Sequence, residues 1–272
     1  MPHTPLPERF VAKLSPTVRQ AAAIARALEG QVANEPKTGE PSAVKAALTI
    51  ADTAVQEALL VTLLQALPDV ALSAEEETPS VESFPAHAPH RVVIDPIDGT
   101  LHSFLEGRGP YATIVGLAGD AGYDAALVAL PREGIFFDAV RGGGAFRARA
   151  RARRRPWLAE RNGARVMVHH EMPRVVLDAL RAADYEVVFG CGGAVSIAPL
   201  MNGFCGGLRI APQTISIRGR VGLLIAREGG AIVTTETGSP FPESLDEPAR
   251  GLALAVTMDD HARLRAALER AF

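Results

Sequence analysis

Two carboxylates, Asp95 and Asp98, follow directly on the apolar run Val92-Val93-Ile94, and Gly99-Thr100 comes straight after them. A strand of that kind delivers both acids into a small volume, with Pro96 fixing one bend and Gly99 freeing the next. Hard divalent cations take oxygen ligands, and Mg²⁺ takes one or two carboxylates while leaving positions for water and a substrate phosphate. The amides of Gly99 and Thr100 can hold phosphate oxygens if a helix begins there. Taken alone, the segment is explained equally well as an Asx-type turn with solvated aspartates.

Further acids lie where they could join this pair. The triplet Glu75-Glu76-Glu77 ends a short apolar segment, Val70 to Leu72, and Asp52 sits beside a helical stripe. No G-x-S-x-G turn and no H-E-x-x-H helix is present, which argues against a serine hydrolase or a zinc protease.

The elements that must position these acids are legible in outline. Ser15-Pro16 predicts a helix start, with Val18, Ala22 and Leu28 on one stripe and Gly30 at the end. A second, longer helix is predicted from Val44, Leu48, Ala51, Val55, Leu59 and Leu63, stopping at Pro68. The strand Val92-Ile94 is expected to stop at Asp95, and Tyr111 to Val140 reads as an antiparallel meander punctuated by Gly116, Gly119, Gly122 and Pro131-Gly134. From Arg165 onward strands (165–168, 186–189, 231–234, 252–256) and helices (173–183, 193–201, 219–227, 259–271) indicate a layered α/β half.

Bulk properties exclude several classes. With 272 residues, 47% of them apolar, the chain can bury a sizeable core. A net charge of −3 gives no basic field for nucleic acid or a membrane surface. The run of alternating Arg and Ala ending in Arg153-Arg154-Arg155 reads first as an exposed hairpin edge, and second as an anion or nucleic-acid patch, though no aromatic interleaving supports base stacking. Cys191 and Cys205 lack metal-ligand spacing and read as buried free thiols. Met1 to Phe10 holds no apolar run, and no stretch could span a bilayer, so a reducing cytoplasm is expected.

The ordered series Lys37, Thr49-Ile50-Ala51-Asp52, Pro68, Glu75-Glu76, Asp95 to Thr100, Gly142 to Phe146, Gly190 to Gly203 and Glu228-Gly229-Gly230 resembles the inositol monophosphatase family of Mg²⁺-dependent phosphatases. The likeness spans roughly residues 10 to 256, and a series of motifs in order is far more specific than one short motif. It implies an α/β fold, an αβαβα layered sandwich shared with fructose bisphosphatases, with an N-terminal half (1–150) carrying the acids and a C-terminal half (151–272) completing the pocket.

Residue by residue, the resemblance implies a first metal held by Glu75, Asp95 and the Ile97 carbonyl, with Glu76 the next choice within the triplet. Asp95 and Asp98 would share a second metal. Asp52 and Thr100 would orient and deprotonate the attacking water. Substrate contacts would fall on Asp98, Gly99, Thr100, Gly190, Cys191, Gly192 and Arg209. The implied chemistry is metal-assisted hydrolysis of an inositol or sugar phosphate, and many members are homodimers.

The chain also departs from the family pattern. The late Trp-Asp pair that completes the second metal site falls on Ser216-Ile217, and no acid occurs from Val187 to Arg227. The acidic substrate contact falls at Arg209 or Ile210, and Arg218 and Arg220 stand where small residues are usual. His102-Ser103-Phe104 replaces the usual residues after the Asp-Gly-Thr turn. A weaker second metal and a more anionic substrate are the expected consequences, and the alternative is an impaired member that only binds an anionic ligand or a partner.

Overall fold

The computed structural model describes residues 4–149 and 154–272. Two sheets and three groups of helices alternate in five layers. The first sheet has seven strands: β1 (Ala71–Ser73), β2 (Arg91–Asp98), β3 (Ala112–Gly119), β4 (Gly122–Leu130), β5 (Ile135–Val140), β6 (Ala145–Arg149) and β7 (Arg155–Pro156), in that spatial order. Only the β1–β2 pair is parallel. The second sheet is formed by β8 (Arg165–His169), β9 (Glu186–Gly190), β10 (Phe204–Ile210), β11 (Ile232–Thr234) and β12 (Gly251–Ala255), in the order β11-β12-β10-β8-β9.

Helices α1 (Leu6–Leu28) and α3 (Ile50–Ala66) cover one face of the first sheet, where Phe10, Leu14, Leu59 and Leu63 meet Val92, Ile94 and Leu127. Helices α5 (Gly192–Ile197) and α6 (Ile217–Glu228) fill the middle layer, burying Val195, Ile197, Val221 and Ile225 against Val93, Ile114 and Phe137. Helices α4 (Arg174–Ala182) and α7 (Met258–Leu268) close the outer face of the second sheet through Val176, Leu180, Leu264 and Leu268. With both faces of the first sheet covered, β2, β3 and β4 are apolar along nearly their whole length. The alternation of Val92 and Ile94 with Val93 assigns each to its own layer. The αβαβα expectation holds.

Several boundaries differ from expectation. Helix α1 begins at Leu6, and Pro16 lies inside it, because Phe10, Val11 and Leu14 extend the buried stripe toward the N-terminus and outweigh the hydrogen bond that a proline removes. Ser15 caps nothing; its hydroxyl donates to the Val11 carbonyl one turn back. The single long helix predicted from Val44 is two, α2 (Ala43–Ala46) and α3, separated by Thr49 in extended conformation.

Strand β10 was not anticipated, since Gly206-Gly207 reads as a strand breaker. Its glycines are required by close packing: a Cβ on Gly206 would collide with the Leu254 carbonyl and one on Gly207 with the Val195 carbonyl. Of the Arg/Ala run, residues 150–153 lie outside the described residues. Among the others, Arg147 is buried over Trp157 and Arg154 pairs with Asp138, so both turn back onto the protein. Both cysteines are free and buried. Among the described residues no helix is long and apolar enough to cross a membrane.

Candidate active site

The break before α3 is what brings Asp52 into play. Thr49 is the N-cap, its Oγ1 accepting from the Ala51 amide at 3.1 Å. Asp52, three residues on, turns back so that Oδ2 accepts from the Thr49 amide and from its hydroxyl, both at 2.7 Å. This reciprocal capping satisfies otherwise orphaned groups and leaves Oδ1 to face Thr100, whose Oγ1 lies at 3.0 Å. Thr100 Oγ1 is also 2.8 Å from the Ile97 carbonyl, and its one proton can serve only one of the two acceptors at a time. Burial pushes the Asp52 carboxyl up to about 6, against hydrogen bonds from Thr49 and Thr100 that favour its charged form.

Strand β2 does not stop at Asp95 but runs on to Asp98 through an irregularity. Asp95 pairs with Ile114 and Asp98 with Ala112, so one extra residue is accommodated in β2. On a regular strand residues three apart point to opposite faces; a one-residue bulge restores them to one side. The Thr113 hydroxyl donates to the Pro96 carbonyl at 2.9 Å, satisfying an acceptor that the bulge displaces. Gly99, at φ 92°, then turns the chain into a single π-helical turn, Thr100–Leu105. A Cβ at Gly99 would lie 2.7 Å from the Cys191 Cβ, so the glycine lets this turn close on the Gly190-Cys191-Gly192 segment.

Asp95 is buried, and its Oδ1 has no hydrogen-bond partner among the described residues. Burial first, and the neighbouring Glu75 and Asp98 next, hold its carboxyl well above the usual range. Asp98 is half-buried and its Oδ2 accepts from the Gly193 amide. In the glutamate triplet the three side chains take different places. Glu75 is half-buried toward Asp95, Glu77 is exposed, and Glu76 is buried and accepts from Lys37 Nζ at 2.9 and 3.0 Å. Gln56, one turn after Asp52 on α3, fixes this loop: its amide donates to the Glu76 carbonyl and to Thr78 Oγ1 while its oxygen accepts from the Glu76 amide.

The opposite wall comes from the second sheet and α6, and it is basic. Arg209, on β10, passes between Gly192 and Gly219, where a Cβ on either would strike its guanidinium. Its Nε and Nη1 are buried without partners among the described residues. His169, at the end of β8 beside Gly190, is held down to about 3 by burial and then by Arg209, so it is neutral at working pH. Arg218, in the first turn of α6, lies 3.7 Å from Glu75 Oε1 and 3.8 Å from Asp95 Oδ2. Arg220 does not face the pocket. It is buried and donates to the carbonyls of Ile215, Ser244 and Glu247 and to Thr214 Oγ1, tying the loops around α6 together.

These donors fit a hard cation in part. Glu75 and Asp95 supply two carboxylates, and the unpartnered Oδ1 of Asp95 is the kind of orphaned acceptor that an ion satisfies. Among the described residues no group of three or more His, Cys, Asp or Glu side chains is gathered closely enough to hold an ion by protein ligands alone. A magnesium-type ion, which leaves several positions to water and substrate, fits such a set better than a fully caged one.

Residues 9–271 match the inositol monophosphatase family. The chain belongs to that family. Solved structures with the same fold include the extragenic suppressor protein suhB of Bartonella henselae (19% identity, TM-score 0.74, covering 97% of this chain and 99% of that one). Another is an IMPase from Thermotoga maritima (17%, TM-score 0.72, 97% of each chain). A third is a staphylococcal IMPase-I complexed with products (17%, TM-score 0.71, 97% of this chain and 96% of that one). No curated protein matches the chain. Inositol monophosphatase family membership supports phosphatase chemistry in general, and members of the family generally use metal ions.

Sequence reasoning passed over Gln56, the capping role of Thr49 and the pairing of Lys37 with Glu76. A glutamine four residues after Asp52 on the same helix face was the available signal for the first. Nothing in the sequence marks Glu76 as the partner of Lys37, which lies 39 residues away.

Proposed function

We propose that this member of the inositol monophosphatase family is a magnesium-dependent phosphate monoester hydrolase acting on an inositol or sugar phosphate. The observation that carries the reading is the Asp52–Thr100 contact, a buried carboxylate 3.0 Å from a hydroxyl on the turn that follows Asp95 and Asp98. In hydrolysis the oxygen of water bonds to phosphorus while the ester P–O bond breaks, giving an alcohol and inorganic phosphate. When bound at Glu75, Asp95, the Ile97 carbonyl and Asp98, magnesium would neutralise phosphate charge and acidify water.

The chain's own residues do the rest. Thr100 Oγ1 passes its proton to Asp52 Oδ1 and takes one from the attacking water, so Asp52 acts as the general base through one hydroxyl. Lys37 and Gln56 hold the Glu75–Glu76 loop, and the bulge in β2 holds Asp95 and Asp98 on one side. Gly99, Gly190, Cys191 and Gly192 line the substrate's approach. The free nitrogens of Arg209 select a substrate that carries a second anionic group, since a buried guanidinium without a partner binds carboxylate or phosphate strongly. The two buried free thiols suit a reducing cytoplasm.

Phosphate release from a panel of inositol and sugar phosphates, titrated with Mg²⁺ and with Asp95→Asn as control, tests this reading. Mg²⁺-dependent release that the substitution abolishes is expected; release without Mg²⁺, or unchanged in the variant, sinks it. A second reading, a member that binds an anionic ligand or a partner without turnover, is favoured by the guanidinium of Arg218 beside Glu75 and Asp95. Ligand binding with no release across the panel would support it.

A further inference from the structure

Arg218 stands among the acids rather than out in solvent. Its Nη2 and Nε reach toward Glu75 Oε1 and Asp95 Oδ2 at 3.7 and 3.8 Å, within ion-pairing range but too far for direct hydrogen bonds. It extends from the first turn of α6, whose N-cap is Ser216, so the helix start fixes its approach. From this wall no further acid joins the cluster: no Asp or Glu occurs from Val187 to Arg227. Arg220, two residues along, is spent on backbone carbonyls, and Arg209 lies against Gly192 and Gly219.

The charges then balance in a particular way. When ionised, Glu75, Asp95 and Asp98 form a triply negative group, and Arg218 offsets one of those charges in the protein itself. What remains matches a single divalent cation, whereas two divalent cations would leave the cluster and Arg218 with excess positive charge. Asp98 Oδ2 is already engaged by the Gly193 amide, which further reduces the oxygen available to a second ion.

We propose that Arg218, set against Glu75 and Asp95, is a resident cation that stands in for one metal ion, so that the site binds one divalent cation per chain. A guanidinium is always charged and cannot be removed by chelation, which makes it a permanent counter-ion where a weakly held metal would exchange. It also repels any ion entering beside it, so its removal opens the site to tighter binding and to a second ion. The inference rests on the metal-dependent phosphatase reading and goes beyond it in fixing the metal count.

The test is binding of Mn²⁺ alone, by calorimetry and by the loss of free-ion paramagnetic signal, to the full chain and to Arg218→Gln and Arg218→Lys. One ion per chain is expected for the wild type and for Arg218→Lys. Arg218→Gln should bind at least about tenfold more tightly, or take up two ions, because a nearby positive charge is gone. Its thermal midpoint without metal should fall and be restored by Mn²⁺ more than in the wild type. Identical stoichiometry and affinity in wild type and Arg218→Gln overturn the inference while leaving the phosphatase reading intact, as do two ions in the wild type. If no protein binds Mn²⁺, the metal-dependent reading fails and the inference with it. Arg218→Lys guards against misfolding: it keeps the charge, so behaviour like Arg218→Gln would also overturn the proposal.

Discussion

The two walls of the cleft treat charge in opposite ways. On the wall made by α3, β2 and the loop after β1, three of the acids are held by hydrogen bonds, while Asp95 Oδ1 has no partner among the described residues. Asp52 is capped by Thr49, Glu76 is paired with Lys37, and Asp98 is engaged by the Gly193 amide. On the wall made by β10 and the first turns of α6 no acid occurs before Glu228, and the arginines divide by partner. Arg220 donates to three carbonyls and a hydroxyl, while Arg209 keeps two buried nitrogens without any among the described residues. A buried donor left unpaired costs free energy, so Arg220 is accounted for by its partners while nothing among the described residues compensates Arg209.

The comparison breaks most readily at Asp52. Asp52→Asn should lower kcat/KM for phosphate release by about 100-fold or more, the usual scale for a lost general base, with little change in fold. In the wild type the rate should rise with pH through about 6, as the carboxyl loses its proton, and this limb should vanish in the variant. Because burial raises this group from 3.8 to about 6, the native state binds its proton more tightly than the unfolded chain. Asp52 therefore favours folding most at low pH, and its contribution falls as pH rises from about 4 to about 6 and is flat above. A urea titration across that window, in wild type and Asp52→Asn, measures the difference.

The second test sets Arg220 against Arg209. Arg220→Met should cost about 3 kcal/mol of stability by stranding buried carbonyls, seen as a lower denaturation midpoint. Arg209→Met should cost little or no stability, having no partner to strand. It should instead raise KM about tenfold or more for a substrate with a second anionic group, and leave KM for a simple aryl phosphate unchanged. Equal stability losses in the two variants would erase the distinction between the walls. The smallest effect is expected for Thr49→Ala, which removes a helix cap worth about 1 kcal/mol. It also withdraws a hydrogen bond from the charged form of Asp52, so the acid limb of the rate profile should move to higher pH.

Much of the acidic wall was legible because its parts are local. The Asp95 to Thr100 turn lies within one stretch of chain, and the Asp52 helix announces itself by its stripe. Family order then linked these pieces to the glutamate triplet. The helix break at Thr49 was missed because apolar spacing continues through it, while the deciding bonds run from Asp52 back to Thr49. Strand β10 was missed because glycine weakens a strand considered alone, yet here helices packed on both sides leave no room for a side chain.

By itself the sequence determined the family and the layered α/β class, since these depend on residue type and order along the chain. Only the tertiary structure decided which glutamate faces Asp95, that Arg220 turns away, and that Arg218 enters the acid cluster. Those outcomes depend on where β2, the loop after β1 and the start of α6 meet. Contacts between residues more than a hundred positions apart, such as Arg218 with Asp95, are set by the packing of two sheets and leave no local mark in the sequence.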